Sequence, residues 1–300
     1  MKPATRGNLL LLLTAAVWGA AFVAQRAGMD AMEPVSFNGL RTLLGAAALT
    51  PVALLRRRAL RRRGDPVLAA ESPKTTWFGG IALGLLLFTA ATLQQIGMVT
   101  TESGKAGFLT ALYILLVPLF GFFSGHRPRP LHVACALVGA LGLRFLSMPA
   151  GGFGPLSRGD ALLVGCAAFF SFHILLVDRI VARTEPLTLA VIQFWVVGLV
   201  SLPVIAAFEH PTWAALRATA VPFLYAALAS TALGYTLQIC GQRDAPPAAA
   251  SLIMSLESAF ALLSGVLILG ERPTARELIG CGILFAAILF SQLPPRRAKT

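Results

Sequence analysis

The chain of 300 residues is 56% hydrophobic and only 13% charged, with a mean hydropathy of +0.75. This composition excludes an ordinary water-soluble domain, which could not bury so much apolar surface, and it requires lipid as the solvent. The net charge of +12 does not indicate a nucleic-acid-binding protein, because the basic residues flank apolar stretches and no soluble domain presents them.

Ten apolar stretches joined by short turns are each about 20 residues long, which is the length of a membrane-spanning helix. Their predicted bounds are Leu9–Gln25, Pro34–Leu55, Trp77–Val99, Ala106–Ser124, Pro130–Met148, Ala161–Val177, Leu187–Phe208, Thr219–Cys240, Ala248–Leu269 and Leu278–Leu293. We therefore expect an all-α, multi-pass membrane protein with ten transmembrane helices.

Basic residues are distributed unevenly between the two sides of these spans. With the N-terminus placed inside, 17 of the 25 Lys and Arg residues fall in cytoplasmic segments, six fall outside, and Arg41 and Arg144 lie within spans. Since Lys and Arg accumulate on the cytoplasmic side, we expect a plasma (cytoplasmic) membrane protein with both termini in the cytoplasm. The arginine cluster Arg56–Arg63 is expected to contact anionic membrane lipids.

The sequence contains an internal repeat. Matching residues recur at a shift of 152 positions and, later in the chain, at a shift of 145. They include Gly7 with Gly159, Leu11 with Leu163, Glu33 with Glu185, Pro51 with Pro203 and Gly125 with Gly270. Each repeat holds five spans, an odd number, so residues 1–148 and 157–295 are predicted to be two inverted five-helix repeats. The first span resembles a cleavable signal peptide, but we expect it to be kept because its removal would leave one repeat incomplete.

Several motifs resemble the EamA-type members of the drug/metabolite transporter superfamily, over nearly the whole chain. They are Trp18-Gly19 in the first span, the paired Glu-Pro turns, Leu256-Glu257 in the ninth span, and Gly270-Glu271-Arg272-Pro273-Thr274 before the last. The resemblance implies a ten-helix bundle in which the first four helices of each repeat surround a central cavity and the fifth helices lie at the periphery. It also implies that the substrate is a small metabolite, an amino acid or a drug, often exported.

Polar side chains at membrane depth are the candidate substrate-binding residues, because each needs water, a partner or a ligand to offset its desolvation. They are Asn38, Arg41, Gln94, Gln95, Tyr235, Gln238 and Glu257. The uncharged members suit a polar solute, and for them cavity lining and hydrogen bonding between helices remain equal alternatives.

The two charged candidates have more specific alternatives. Glu257, near the middle of the ninth span, is either a proton-coupling or cation-binding carboxylate or a carboxyl group hydrogen-bonded between helices. Arg41 lies about 10 Å into the bilayer beyond Pro34. It either binds a substrate carboxylate, pairs with Glu257, or extends to the external headgroups. His173 is expected to be a packed neutral histidine rather than a proton relay.

Glycine and proline residues predict where the spans can move. Gly104 and Gly107 flank the start of the fourth span, and Pro246 and Pro247 precede the ninth. Because proline and glycine interrupt regular helix, we expect hinges at both places. Pro118 should kink the fourth span.

No motif indicates an enzyme. The sequence has no HExxH, GxSxG, P-loop or dinucleotide fingerprint and no His or Cys at metal-ligand spacing. We expect no catalytic residue, metal or cofactor. The predicted function is a secondary-active transporter that exports a small metabolite, amino acid or drug by alternating access, with protons as the candidate coupling ion. The alternative is a non-transporting membrane sensor or assembly factor.

Overall fold

The computed structural model describes residues 2–101, 103–123, 125, 128–147, 151, 157–269 and 272–293. Within these ranges the regular structure is entirely helical. The α-helices are α1 (Pro3–Met29), α2 (Pro34–Arg62), α3 (Pro66–Ala70), α4 (Pro73–Thr100), α5 (Ser103–Ala111), α6 (Tyr113–Phe123), α7 (Pro130–Ser147), α8 (Arg158–Val181), α9 (Pro186–Phe208), α10 (Trp213–Ala218), α11 (Ala220–Leu224), α12 (Thr236–Gln242), α13 (Pro247–Met254), α14 (Glu257–Ser264) and α15 (Ala275–Ser291). Two π-helices, π1 (Tyr225–Tyr235) and π2 (Gly265–Leu269), complete the eighth and ninth spans.

Nine helical segments in the described part of the chain are long and apolar enough to cross a membrane. They correspond to the first nine predicted spans, so the prediction of an all-α, multi-pass membrane protein is confirmed. The tenth predicted span corresponds to α15, which has 17 residues. A count of ten therefore stays a prediction.

Most long helices begin with residues that suit a helix N-terminus. Proline occupies the first turn of α1, α2, α4 and α9, where its missing N–H costs nothing because that group has no partner within the helix. The helices α8 and α15 begin with capping boxes formed by Ser157 with Asp160 and by Thr274 with Glu277. These local signals set the helix starts.

The fourth and ninth predicted spans are each interrupted near the middle. The fourth divides into α5 and α6 at Leu112, and the ninth into α13 and α14 at Ser255 and Leu256. At both places a backbone N–H donates to the carbonyl three residues earlier, from Leu112 to Leu109 and from Leu256 to Ile253. Such tight turns inside a helix often mark hinges.

The glycines and prolines that predicted mobile points lie at least five residues away from these interruptions. Pro118 lies inside α6, and the break in that span comes six residues earlier, at Leu112. Gly104 and Gly107 lie within α5, and Pro246 caps the N-terminus of α13. The hinges at the starts of the two spans therefore stay predictions, and the sequence did not predict the breaks at Leu112 and Leu256.

Two antiparallel helix pairs approach so closely that glycine is required at the crossing. A Cβ atom at Gly97 of α4 would lie 2.9 Å from the carbonyl oxygen of Gly159 in α8. A Cβ atom at Gly241 of α12 would lie 3.0 Å from the carbonyl oxygen of Gly7 in α1. Any larger residue would separate these backbones.

Two members of the Arg56–Arg63 cluster pair with protein carboxylates. Arg57 Nη2 lies 2.5 Å from Glu71 Oε2, and Arg56 Nε lies 3.0 Å from Glu185 Oε1. Burial opposes the ionisation of Glu71, but hydrogen bonds from Arg57, Thr76 and a backbone N–H outweigh it and hold the pKa of this carboxyl below its usual value. Lipid contact remains the prediction for the other arginines of the cluster.

Candidate functional site

A polar cavity lies between the helices at the centre of the bundle. Its volume is about 40 Å³, on a scale where a single water molecule needs about 10–15 Å³. The lining residues are Trp18, Ala21, Phe22, Gln25, Arg41, Gln94, Thr110, Tyr113, Phe170, Ile174, Ser230, Tyr235, Gln238, Met254 and Glu257. The helices α7, α9 and α15 contribute no described residue to this lining.

Five of the seven candidate residues predicted from the sequence lie on the cavity wall. They are Arg41, Gln94, Tyr235, Gln238 and Glu257. Asn38 lies one helical turn before Arg41 and contacts it instead of the cavity. Gln95 is completely buried outside the lining, and no described residue hydrogen-bonds to its side-chain amide.

Arg41 is 4% exposed and is held by uncharged oxygens. Its Nη2 donates to Asn38 Oδ1 at 3.0 Å and to Gln25 Oε1 at 3.5 Å, and its Nε donates to Asn38 Oδ1 at 3.3 Å. The guanidinium also lies 5.7 Å from the centre of the Phe37 ring. No described carboxylate oxygen lies within 4.0 Å of its nitrogens. The side chain therefore remains inside the bundle rather than extending to headgroups.

Glu257 is 5% exposed and also has an uncharged partner. Its Oε1 accepts a hydrogen bond from the Tyr113 hydroxyl at 2.9 Å. Among the residues that the structure describes, none places a basic nitrogen within 4.0 Å of the carboxylate. Glu257 is therefore hydrogen-bonded between helices and also lines the cavity, and a proton-coupling or cation-binding role stays a prediction.

Aromatic side chains form part of the wall of the same cavity. The rings of Trp18 and Tyr235 lie 4.7 Å apart, and Trp18 Nε1 donates to the carbonyl oxygen of Ser230 at 3.1 Å. Tyr235 lines the same cavity as Arg41 and Glu257. Ser230 and Tyr235 belong to π1, and π-helical turns are frequent at functional sites.

Amide side chains supply the neutral polar part of the site. Gln94 Nε2 donates to Thr110 Oγ1 at 3.4 Å, and Gln238 Nε2 donates to Gln242 Oε1 at 2.9 Å. Gln238 Oε1 accepts from no described residue. A hydrogen-bond acceptor is therefore left unused beside the cavity.

His173 lies in the packing between α8 and α9. It is completely buried and absent from the cavity wall, and its Nε2 shares a 2.9 Å hydrogen bond with Gln193 Oε1. This arrangement matches the packed histidine that we expected rather than a residue exposed to the cavity.

Sequence reasoning missed Gln25, Thr110 and Tyr113. Gln25 stood at the predicted end of the first span, where a polar residue is ordinary. Thr110 and Tyr113 stood in a strongly apolar stretch with no periodic polar face. The hydrogen bond between Tyr113 and Glu257 joins residues 144 positions apart, so no local pattern could have revealed it.

Two larger cavities lie at opposite ends of α7. The first, of about 430 Å³, is lined by residues that include Val23 and Arg26 of α1, Ser147 of α7, Leu262 of α14 and Glu277 of α15, and we call it the Arg26 vestibule. The second, of about 320 Å³, is lined by residues that include Val117 of α6, His132 of α7 and Leu175 of α8, and we call it the His132 vestibule. Phe22, which is 8% exposed, lines both the Arg26 vestibule and the central cavity.

No metal site is found in the described ranges, where no group of three or more His, Cys, Asp or Glu side chains is placed to hold an ion. The central cavity is lined by polar and charged groups inside membrane-spanning helices, and the two vestibules lie at opposite ends of α7. In a bundle of membrane-spanning helices, charged and polar groups that line an interior cavity are typical of a multi-pass membrane transporter.

The sequence matches the model of the EamA-like transporter family over residues 5–148 and again over residues 157–293. The chain belongs to the EamA-like transporter family. The resemblance drawn from its motifs is therefore confirmed, and the family and the relatives below are transporters rather than enzymes.

Relatives from several organisms align along most of the chain. The threonine/homoserine exporter RhtA of Escherichia coli K12 is 29% identical over 96% of this chain and 92% of its own length. An uncharacterised transporter of Archaeoglobus fulgidus is 26% identical over 95% and 85%. A protein of Streptantibioticus cattleyicolor named "probable terminal-alkyne amino-acid exporter" is 24% identical over 93% and 91%.

A solved crystal structure shares the fold. It superposes with a TM-score of 0.76, covers 98% of this chain and 99% of its own, and is 23% identical. At that identity the likeness concerns the fold alone.

Proposed function

We propose that this protein is a secondary-active carrier that exports a small polar metabolite across the cytoplasmic membrane by alternating access. The proposal rests on the central polar cavity and on the two vestibules at opposite ends of α7, because a carrier needs one binding site that each face can reach in turn. The export direction is supported by the names of two relatives, which are exporters.

We further propose that residues 1–148 and 157–295 form two inverted repeats of five helices. Residues that line one vestibule have repeat equivalents in the other, at the same shifts of 152 and 145 positions. These pairs are Val23 with Leu175, Leu262 with Val117, and Glu277 with His132. Two faces lined by equivalent residues are what a pseudo-two-fold axis in the membrane plane produces.

The helix crossings support the same symmetry. Gly7 and Gly159 are repeat equivalents at a shift of 152, and Gly241 lies 144 positions after Gly97. The contact of Gly7 with Gly241 thus has a counterpart in the contact of Gly97 with Gly159. Two equivalent packings allow a bundle to open toward either face at similar free energy.

Opening requires the central cavity to widen, since its present volume of about 40 Å³ accommodates about three water molecules. The breaks at Leu112 and Leu256 are our candidate hinges, because Leu112 and Glu257 are repeat equivalents at a shift of 145. Phe22 is our candidate barrier toward the Arg26 vestibule. Rotation of α5 and α14 about these turns would separate Tyr113 from Glu257 and open the site.

We also propose which group couples transport to protons and how the protein is oriented in the membrane. Glu257 is the candidate group for proton coupling, because a carboxylate at membrane depth can exchange a proton with water that enters from a vestibule. Both termini and the Arg56–Arg63 cluster are placed in the cytoplasm, with anionic lipids as neighbours. No cofactor, metal or nucleic acid takes part.

Reconstitution tests the carrier directly. Liposomes that contain the purified protein and a high internal concentration of unlabelled substrate are expected to accumulate the labelled compound about tenfold faster than protein-free liposomes, because exchange through one site couples the two fluxes. The panel comprises amino acids, sugars and cationic drugs. If no compound of the panel moves in either direction, the protein is not a carrier of such solutes and the sensor or assembly role gains support.

A further inference from the structure

We propose that the central cavity binds a zwitterion, the α-ammonium and α-carboxylate groups of a free amino acid. Arg41 receives the carboxylate and Glu257 receives the ammonium. This inference rests on the proposed function, since it names the chemical class of the solute that the carrier moves. It requires Arg41 and Glu257 to bind the two charged groups of one ligand molecule at the same time.

Both charges lack a counter-charge in the protein. Arg41 is surrounded by amide oxygens and a ring, and Glu257 is bonded to a hydroxyl. Buried charges are ordinarily paired, because transfer from water without a counter-ion costs several kcal/mol. Arg41 and Glu257 do not pair with each other, although both line one cavity. A bound ligand can supply the missing charges.

The unused atoms indicate where the ligand binds. Arg41 donates through Nε and Nη2, and no described residue accepts a hydrogen bond from Nη1. Glu257 accepts at Oε1, and no described residue donates to Oε2. Both residues line the central cavity, and neither Nη1 nor Oε2 is among the buried side-chain atoms that lack a partner. A carboxylate fits the donor, and an ammonium fits the acceptor.

A zwitterion satisfies this arrangement better than a simple ion. An anion would neutralise Arg41 and leave the negative charge of Glu257 beside it, whereas a cation would leave the positive charge of Arg41. A zwitterion supplies both counter-charges and adds no net charge to a site of low dielectric constant. Sugars, which carry neither group, leave both charges unpaired.

The remaining lining predicts a short polar side chain on the amino acid. Gln238 lines the cavity and its buried Oε1 has no described donor, so once the cavity widens this oxygen can accept a hydrogen bond from a hydroxyl or amide of the ligand. Ser230 and Thr110 on the same wall are small. Trp18 and Tyr235 pack against each other on the same wall.

The test compares one amino acid with two analogues that each lack one charged group. The probe is whichever of the twenty standard amino acids and homoserine raises the melting temperature of the detergent-solubilised protein most. For threonine, the analogues are 1-amino-2-propanol, without the carboxylate, and 3-hydroxybutyrate, without the ammonium. Since a hydrogen bond to a charged group contributes about 1.5–3 kcal/mol, wild-type affinity should fall about ten- to a hundredfold for each analogue.

Two variants assign the groups. Arg41→Gln is expected to bind the amino acid and its decarboxylated amine with affinities within about threefold, because the carboxylate no longer has a partner. Glu257→Gln is expected to bind the amino acid and its deaminated acid equally well. Arg144→Gln and Glu33→Gln, which remove exposed charges outside the cavity, are the matched controls and should keep the full discrimination.

The outcomes separate this inference from the carrier proposal. The zwitterion site is wrong if no amino acid stabilises the wild type, if an analogue binds the wild type as tightly as the amino acid, or if the variants keep the discrimination of their controls. The wild-type comparison decides the point even where a variant does not fold. If liposomes then still transport a sugar or a drug, the carrier proposal stands without the zwitterion site.

Discussion

The variant Gly19→Ala is expected to fold but to lose transport, by about tenfold or more, because its methyl group would displace the carboxylate of the site. A Cβ atom at Gly19 would lie 2.4 Å from Phe260 Cβ and 2.7 Å from both Ala261 N and the carbonyl oxygen of Glu257. Backbone atoms cannot rotate away, so α14 must shift from α1. Glu257 moves with α14, and contacts to a bound ligand are sensitive to shifts of about 1 Å.

Gly165→Ala is the matched control for this prediction. Gly165 also lies within a membrane-spanning helix, but its added Cβ would meet only Leu93 Cδ1 at 3.5 Å, an ordinary contact. Initial exchange rates are measured in proteoliposomes at equal protein content, with melting temperatures as the check on folding. Equal rates for Gly19→Ala, Gly165→Ala and the wild type would show that the approach of α1 to Glu257 does not matter for transport.

The variant Gly280→Ala is expected to lower the free energy of unfolding by about 1–3 kcal/mol, the usual cost of overpacking. Its Cβ atom would lie 2.4 Å from Leu146 N and 2.7 Å from the carbonyl oxygen of Gly142. The helices α7 and α15 touch through their backbones here. The new methyl group must therefore separate them along their length.

Gly282→Ala, two residues further along α15, is the control. A Cβ atom at Gly282 would meet nothing within 4 Å, and alanine stabilises a helix by up to about 1 kcal/mol relative to glycine. Thermal unfolding in detergent should therefore rank Gly282→Ala at or above the wild type and Gly280→Ala below both. A reversed order would mean that α7 and α15 do not pack as described.

The sequence predicted helices well because the lipid-spanning signal is long and continuous. Apolar length located the spans, but it placed the end of α2 at Leu55, whereas the helix continues to Arg62. The arginines extend the helix beyond the apolar stretch, since helical backbone satisfies its own hydrogen bonds whatever its side chains meet. The length of an apolar stretch thus indicates how much of the helix lies in the membrane, not where the helix ends.

The candidate site was only partly predictable, for a different reason. A polar residue in an apolar span must find a partner, but the sequence does not say whether that partner is a neighbouring residue or a ligand. Arg41 and Gln95 looked alike in this respect, yet Arg41 lines the cavity and Gln95 does not. Tyr113 was missed because its hydrogen bond to Glu257 joins residues 144 positions apart, which neither composition nor spacing connects.

The most direct test of the carrier is chemical access to the central cavity from both sides of the membrane. In a variant with Cys135, Cys166, Cys240 and Cys281 replaced by serine, Thr110→Cys introduces one thiol on the cavity wall. A membrane-impermeant methanethiosulfonate reagent should modify it from either side of sealed vesicles, and the transported substrate should slow both reactions. Modification from one side only, or from neither, would contradict a site that opens alternately to the two faces.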